Sequence, residues 1–251
     1  MKKKYKIAFL IFFSLTSLNL VAQETIFEEA RTIYKSEQAY GLIIHTTGWG
    51  FNYRYGMYTS GFTRRTFEGE IVGLKHPKEI KTFTSVFDNS NGYVFGKLNT
   101  MFLFRGSVGN HKTFISKQSV RGIAVALIYN TGITFAYAKP IYLEVLFFNE
   151  EKELIETRFE RYDPEKHTQN DIIGKGPAMR GLFGGKFIPG VFLKAGLNFE
   201  SAREAENLNA LEVGIKTDLF LQKLPMMANE LNRNWLINLY VTFSFGSKST
   251  N

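Results

Sequence analysis

Cysteine is absent from all 251 residues of this sequence. Its absence excludes disulfide bonds, thiolate metal sites and lipid attachment through an N-terminal cysteine. Proline is scarce, with 6 residues, and no linker rich in Gly, Pro or Ser divides the chain. The length therefore suits a single domain that follows a targeting segment.

Motifs for catalysis and ligand binding are also missing. The sequence has no nucleophile elbow, phosphate-binding loop or dinucleotide fingerprint. His45-Thr46-Thr47 places a base beside hydroxyls, as in barrel lipases and lipid A deacylases, but no third member of a triad is identifiable. The four histidines have no metal-ligand spacing: His45, His76, His111 and His167. We predict a non-enzymatic protein without catalytic residues, cofactor, metal or small-molecule substrate, and keep a lipid-modifying enzyme as the less favoured alternative.

Without the first 23 residues, the chain has nearly equal numbers of positive and negative charges. The net charge is +8, but Lys2, Lys3, Lys4 and Lys6 supply four of the positive charges. From residue 24 onward, 27 Lys and Arg face 23 Asp and Glu. This balance does not indicate a nucleic-acid partner.

The first 23 residues are typical of a secretory signal peptide. A basic start is followed by an apolar run over residues 7–20 and by the small-residue exit Val21-Ala22-Gln23. We therefore expect export through the inner membrane and cleavage. A retained N-terminal anchor is the alternative, disfavoured because the run is shorter than the ~20 residues of a spanning helix.

Residues 24–38 form the one segment with helical periodicity. Thr25 and Glu28 have capping-box spacing, and apolar side chains share one face of the expected helix. The prediction is a short periplasmic helix. A plug in a barrel mouth, a partner-binding segment and a frayed linker stay open as alternatives.

Strict alternation of apolar and polar residues dominates the rest of the chain. From Trp235 to Phe245 every odd position is apolar and most even positions are polar or amphipathic, which indicates a strand with one apolar face. We count about eight strands, with turns at Gly109-Asn110 and Asn130-Thr131-Gly132. Pro189-Gly190 either kinks the sixth strand or divides it into a hairpin. The strands are 39–56, 61–74, 92–107, 112–129, 131–148, 178–200, 209–221 and 235–245.

Residues 122–138 offer a competing interpretation because they carry no charge over 17 positions. Bulky residues occupy one parity of this run and small residues the other, as expected for two strands of a narrow barrel. A membrane helix is the alternative. It is disfavoured because the run is shorter than ~20 residues and is interrupted by Asn-Thr-Gly.

These patterns predict an all-β, eight-stranded antiparallel transmembrane β-barrel over residues 39–251, in the outer membrane. Its 24 Phe and 12 Tyr fit the aromatic girdles of such barrels. Both termini would be periplasmic, and the polar segments 149–177 and 223–234 would lie outside. The segment 75–91 would then be a periplasmic turn, for which it is too long. A soluble periplasmic sandwich is the alternative fold.

Eight strands leave an interior filled mostly by side chains. We expect charges of both signs to pair there and hold the barrel closed. A gated polar pore for small solutes is the alternative. The predicted lumen-facing charges are Arg54, Glu68, Glu70, Lys97, Arg105, Glu144, Lys194, Glu212, Lys216 and Asp218.

Three stretches carry a resemblance to a known family: Tyr93 to Phe102, Lys139 to Val145, and Leu239 to Gly246. With the Val-Ala-Gln signal exit, they resemble the small outer-membrane β-barrel proteins of Bacteroidota, of the OmpA/OmpX-like eight-stranded class. The chain departs from them in a six-residue tail after Phe245. The resemblance implies a non-enzymatic accessory or structural subunit of a multi-protein outer-membrane machine, such as type IX secretion/gliding or barrel assembly. Its expected partners are outer-membrane lipid and other outer-membrane or periplasmic proteins.

Overall fold

The structure, a computed structural model, describes residues 34–83, 91–115, 122–149, 154–201, 207–228 and 232–250. The signal peptide predicted over 1–23 and most of the helix predicted over 24–38 lie outside these residues. The first strand begins at Ser36, so residues 36–38 belong to the barrel wall and not to the predicted helical segment.

The described residues form thirteen strands, and eight of them close into one antiparallel barrel: β1, β2, β3, β6, β7, β11, β12 and β13. This confirms the predicted all-β, eight-stranded fold. In chain order the strands are β1 (Ser36–His45), β2 (Gly48–Tyr58), β3 (Thr63–Leu74), β4 (Lys81–Thr82), β5 (Tyr93–Val94), β6 (Asn99–Ile115), β7 (Ile123–Pro140), β8 (Tyr142–Asn149), β9 (Leu154–Arg161), β10 (Ile172–Lys175), β11 (Lys186–Ser201), β12 (Asn207–Phe220) and β13 (Trp235–Ser249).

The barrel closes where β1 pairs with β13, from Ser36 opposite Ser249 to His45 opposite Tyr240. The stagger of the barrel can be traced by starting at Phe187 on β11 and moving from each residue to its partner on the next strand. One full circuit returns to β11 at Leu197, ten residues further along the chain. A stagger of this size in eight strands corresponds to a strand tilt of about 40°. The resulting interior is just wide enough for side chains to fill it.

Side chains alternate across the wall with the period of two that the sequence predicts. In β13, Ile237 and Leu239 are more than half exposed on the outside, while Asn238 and Tyr240 are buried inside. The same alternation runs through β1, β2, β3, β11 and β12. Apolar residues therefore cover the outer surface, and the polar residues of each strand line the lumen.

The two ends of the barrel differ in the length of their connections. At the end where β1 begins and β13 ends, here called the terminal end, the strands are joined over residues 59–62, 116–122 and 202–206. The opposite end, here called the loop end, carries 46–47, 75–98, 141–185 and 221–234. The segment 75–91 thus lies at the loop end, and its prediction as a turn beside the termini is wrong.

The strand count is right although several predicted strand limits are wrong. The predicted strand 39–56 is two strands, β1 and β2, joined by a hairpin at Thr46-Thr47. The three strands predicted over 92–148 include only two barrel strands, since Gly109-Asn110 lies inside β6 and Asn130-Thr131-Gly132 lies inside β7. Pro189-Gly190 lies within the single strand β11. The two errors in the count cancel.

The alternative of a membrane helix over 122–138 is excluded, because these residues lie almost wholly in β7. Among the described residues, no helix has the length and hydrophobicity of a transmembrane span. Residues 149–177 are not a plain loop. β8, β9 and β10 form a three-stranded sheet beyond the barrel, around a small core of Tyr93, Leu143, Val145, Tyr162 and Ile172.

Candidate functional site: a charged lumen with a covered mouth

The inward faces of the barrel strands carry charges in equal number. Among the described residues of the eight barrel strands, six carboxylates and six cations have side chains that are at most 9% exposed. Equal numbers allow each buried charge to be offset by neighbours of the opposite sign. The carboxylates are Glu37, Glu68, Glu70, Glu200, Glu212 and Asp218, and the cations are Arg54, Arg64, Arg105, Lys194, Lys216 and Lys248.

Lys194 lies at the centre of the lumen and joins carboxylates from two sides of the barrel. Its Nζ is 2.6 Å from Glu68 Oε2, on β3, and 2.7 Å from Glu212 Oε1, on β12. Arg54 donates to the other oxygen of Glu212 at 3.0 Å. The hydroxyl of Tyr240 donates to Glu212 at 2.8 Å. Four strands of the wall are thus linked through one buried carboxylate.

Arg105 organises a second group that includes one bidentate ion pair. Its Nε and Nη2 each donate to Asp218 at 2.8 Å, in the fork geometry that makes Arg–carboxylate pairs strong. Its Nη1 donates to Glu70 Oε2 at 3.1 Å. Lys216 Nζ lies 2.5 Å from the other oxygen of Glu70. Both groups touch Glu70, because Lys194 lies 3.8 Å from it.

A third group closes the lumen towards the terminal end. Arg64 Nη1 lies 2.9 Å from Glu37 Oε2 and 3.1 Å from Glu200 Oε2. Lys248 also pairs with Glu200. Tyr58 donates its hydroxyl to Glu37 at 3.1 Å. Ion pairs therefore fill the lumen from its centre to the end where the termini lie.

Eight of the ten charges predicted for the lumen line it, and two do not. Lys97 lies in the 75–98 connection and pairs with Glu79 at 2.6 Å, because β6 begins only at Asn99. Glu144 lies on β8, in the sheet beyond the barrel, because β7 already ends at Pro140. Both placements are corrections to the predicted strand limits.

Four lumen charges were missed: Glu37, Arg64, Glu200 and Lys248. Glu37 was assigned to the helical segment, although it alternates in phase with the buried Ala39 and Ile43 of β1. Arg64 and Glu200 have the same parity as the lumen charges of their own strands. The parity of the predicted strands would have found Arg64 and Glu200, whereas Glu37 and Lys248 lie beyond the predicted ends of the first and last strands.

Towards the loop end the lumen becomes apolar and is covered by chain. Leu224, Met226 and Met227 are at most 6% exposed and pack on inward residues such as Val72 and Leu103. This segment, residues 224–227, is here called the mouth cover.

Polar contacts hold the mouth cover at both edges. Asn99 donates its side-chain amide to the carbonyl of Pro225 at 2.6 Å, and Leu98 N donates to Met226 O at 2.9 Å. The side chain of Asn232 accepts from Met226 N and Met227 N, both at 3.1 Å. The lumen is thus blocked twice, by ion pairs and by an apolar cover.

His45, the base suggested by the sequence, contacts Thr47 beside Asn238. His45 Nδ1 accepts from Thr47 N at 3.3 Å and lies 3.0 Å from Thr47 Oγ1, which is also 2.7 Å from Asn238 Oδ1. His45 Nε2 is buried and has no hydrogen-bond partner in the described part of the chain, so no carboxylate orients the ring as a triad requires. No group of three metal-binding side chains occurs among the described residues.

His167 lines a cavity of about 600 Å³ on the sheet beyond the barrel, with Tyr142, Phe159 and Tyr162. Its Nδ1 accepts from Asp163 N at 3.0 Å, and its Nε2 lies 3.4 Å from Glu160 Oε2. The two ring nitrogens therefore contact the turn at Asp163 and the end of β9 at Glu160.

No protein-family model and no curated protein matches the chain. Among solved structures, it is similar to Neisserial surface protein A, NspA, with 9% identity and a TM-score of 0.39 over 86% of this chain and 96% of that one. It is also similar to the N-terminal β-barrel domain of Pseudomonas aeruginosa OprF, with 8% identity and a TM-score of 0.34 over 84% of this chain and 98% of that one. A third similar structure is Ail, the attachment invasion locus protein of Yersinia pestis, with 9% identity and a TM-score of 0.34 over 86% of this chain and 98% of that one.

Proposed function

We propose that the protein is a non-enzymatic barrel that spans an outer membrane, with its terminal end in the periplasm and its loop end outside. The outer surface of the barrel is the observation that carries this proposal. Leu193, Ile237 and Leu239 expose 62%, 58% and 60% of their surface, while charges fill the interior. A contiguous apolar surface around a charged centre suits lipid and not water.

The distribution of connections supports the proposed orientation. In outer-membrane barrels the periplasmic turns are short and the extracellular loops are longer. Here the three connections at the terminal end are short, whereas the loop end carries the long connections 75–98, 141–185 and 221–234 beside the two-residue hairpin 46–47. Both termini would accordingly lie in the periplasm.

We further propose that the protein acts as an accessory or structural subunit of a multi-protein outer-membrane machine, with type IX secretion/gliding and barrel assembly as the two candidates. The blocked lumen supports a role that lies outside it. The three-stranded sheet of β8, β9 and β10 offers an ordered surface for a partner at the loop end. The ion pairs around Lys194 and the mouth cover count against the solute channel, because paired charges and buried apolar side chains occupy the lumen.

Heat-modifiability on gels of the outer-membrane fraction tests the barrel, and mild-detergent purification of the tagged protein tests the subunit role. We expect a heat-dependent shift and stoichiometric partners. A control variant in which residues 142–175 are replaced by a Gly/Ser linker should keep the shift and lose partners that bind the sheet. A soluble protein without a shift would refute the membrane barrel.

A shift without partners would refute the subunit role and leave a lone barrel. Planar-bilayer recordings would then test the channel, for which conductance steps from the wild-type protein are required. A mass profile of lipid A and phospholipids after deletion of the gene would test the lipid enzyme, which requires a changed profile.

A further inference from the structure

The turn formed by residues 177–185, here called the rim turn, folds over the outside of the barrel wall at the loop end. Lys139 Nζ donates to the carbonyl of Ala178, and the Tyr137 hydroxyl donates to the carbonyl of Leu182. Gly185 N in turn donates to the Tyr137 hydroxyl at 3.1 Å. Tyr137 and Lys139 have the outward parity of β7, whose intervening residues are buried. The rim turn therefore lies on the lipid side of the wall.

Large apolar side chains of the rim turn have no cover. Phe183 is 98% exposed and Met179 75% exposed, and Leu182 beside them is also exposed. They lie next to the apolar surface of the barrel: Phe187 on β11 is 59% exposed, and its ring centroid is 4.7 Å from that of Tyr137, which is hydrogen-bonded to the rim turn. Exposing this much apolar surface to water is unfavourable.

The charged side chains within residues 172–187 are all positive. Residues 172–187 contain no Asp or Glu, and their cations Lys175, Arg180 and Lys186 are exposed. The Arg180 guanidinium lies over the rings of Tyr142 and Phe159, at 5.7 and 5.4 Å from their centroids, and so is held at this edge of the barrel. Exposed apolar side chains beside cations are typical of segments that lie in a membrane interface.

We propose that the rim turn binds a phosphorylated glycolipid of the lipid A class in the outer leaflet. Met179 and Phe183 enter the boundary between headgroups and acyl chains, and Lys175 and Lys186 bind the headgroup phosphates. The assignment rests on the proposed function, which places the loop end at the outer leaflet. The absence of acidic residues from 172–187 selects an anionic headgroup over a zwitterionic one.

The depth of Phe183 tests the apolar half of the proposal. Because the chain has no cysteine, single-cysteine variants can carry one nitroxide label each. In vesicles of phosphatidylcholine with diphosphoryl lipid A, F183C should be accessible to oxygen and shielded from a water-soluble nickel chelate. L193C, on the outer wall, is the lipid reference, and K166C, whose side chain is 76% exposed beyond the barrel, is the water reference.

Equal nickel accessibility at F183C and K166C would overturn the proposal, and so would shielding of F183C from both reagents, which would indicate a protein partner. In either case a shielded L193C would leave the membrane barrel intact. Nickel access at L193C itself would instead refute the proposed function.

Lipid binding tests the charged half. We expect K175Q/K186Q to bind diphosphoryl lipid A about thirtyfold more weakly in detergent, since each cation near an anionic lipid surface contributes about a factor of five. K166Q removes one exposed Lys beyond the barrel and should leave the affinity unchanged. An unchanged affinity in K175Q/K186Q, or equal wild-type affinity for lipid A without phosphates, would overturn the proposal.

Discussion

Substitution of Lys194 by Met tests whether the ion pairs of the lumen stabilise the barrel. The substitution removes the cation that lies 2.6 Å from Glu68 and 2.7 Å from Glu212. Glu212 keeps Arg54 at 3.0 Å, whereas the remaining side-chain donors to Glu68 among the described residues are the amides of Asn52 and Asn130. A buried carboxylate without a cation costs about 3–5 kcal/mol, so K194M should lower the free energy of unfolding by that amount.

A double-mutant cycle separates the pair from the packing of its side chains. E68Q keeps the shape of Glu68 and removes the charge that K194M leaves unpaired. K194M/E68Q should therefore be about 2 kcal/mol more stable than the sum of the single effects predicts. The matched control is K166M, because the exposed Lys166 has only a 3.8 Å pair with Asp163 and should change stability by less than about 0.5 kcal/mol.

The assay is urea-induced unfolding in lipid vesicles, followed by the heat-dependent gel shift and by the fluorescence of Trp49 and Trp235. Both tryptophans are on the outer surface, 61% and 41% exposed, and should report loss of lipid contact. If K194M unfolds at the wild-type urea concentration, or if the effects of K194M and E68Q simply add, the lumen charges do not act as the coupled network described above.

Three further predictions address the wall and the loop end. L193K should lower the stability of the membrane-inserted barrel by about 2–4 kcal/mol, measured as the folded fraction on unheated gels, because it places a charge in the lipid. G132A should destabilise the barrel by about 1–3 kcal/mol, because a Cβ at this position would lie 2.0 Å from the carbonyl oxygen of Gly106. The control is G106A, whose added Cβ would have no atom within 4 Å and which should be neutral in the same unfolding assay. Thr168 donates two hydrogen bonds to the Asp171 carboxylate, from its hydroxyl at 2.6 Å and from its backbone N at 3.1 Å, and these lower the pKa of Asp171. T168V removes the hydroxyl and should therefore raise the pKa of Asp171, as measured by NMR titration. The stability from this turn should be present above the unfolded-state pKa of about 3.9 and be lost as pH falls through the lower folded value.

The last strand was predictable from sequence alone, because each side chain of a strand reports the environment of its own face. In β13 the apolar odd positions point outward and the polar even positions point inward, as the pattern from Trp235 to Phe245 predicts. Such local alternation carries over to the whole wall, and this is why eight of the ten predicted lumen charges line the lumen.

The turn predicted at Asn130-Thr131-Gly132 shows why strand limits were less predictable. A polar side chain in the middle of a strand resembles a turn when its partner is unknown. Asn130 instead faces the lumen and donates to Glu68, and Gly132 lets β7 approach the carbonyl of Gly106. The sequence pattern also predicted β1 and β2 as a single strand, because the hairpin at Thr46-Thr47 leaves only two residues between them.

The sequence by itself determined the class of the protein: an all-β wall with an apolar outer face and a charged inner face, because a period of two needs no knowledge of the partner strand. Only the tertiary structure decided which charges meet. Lys194 and Glu68 are 126 residues apart in the chain, and Arg54 and Glu212 are 158 apart. Their contact depends on the stagger of ten residues around the closed barrel, which the hydrogen bonds of all eight strand pairs set together and which no single segment encodes.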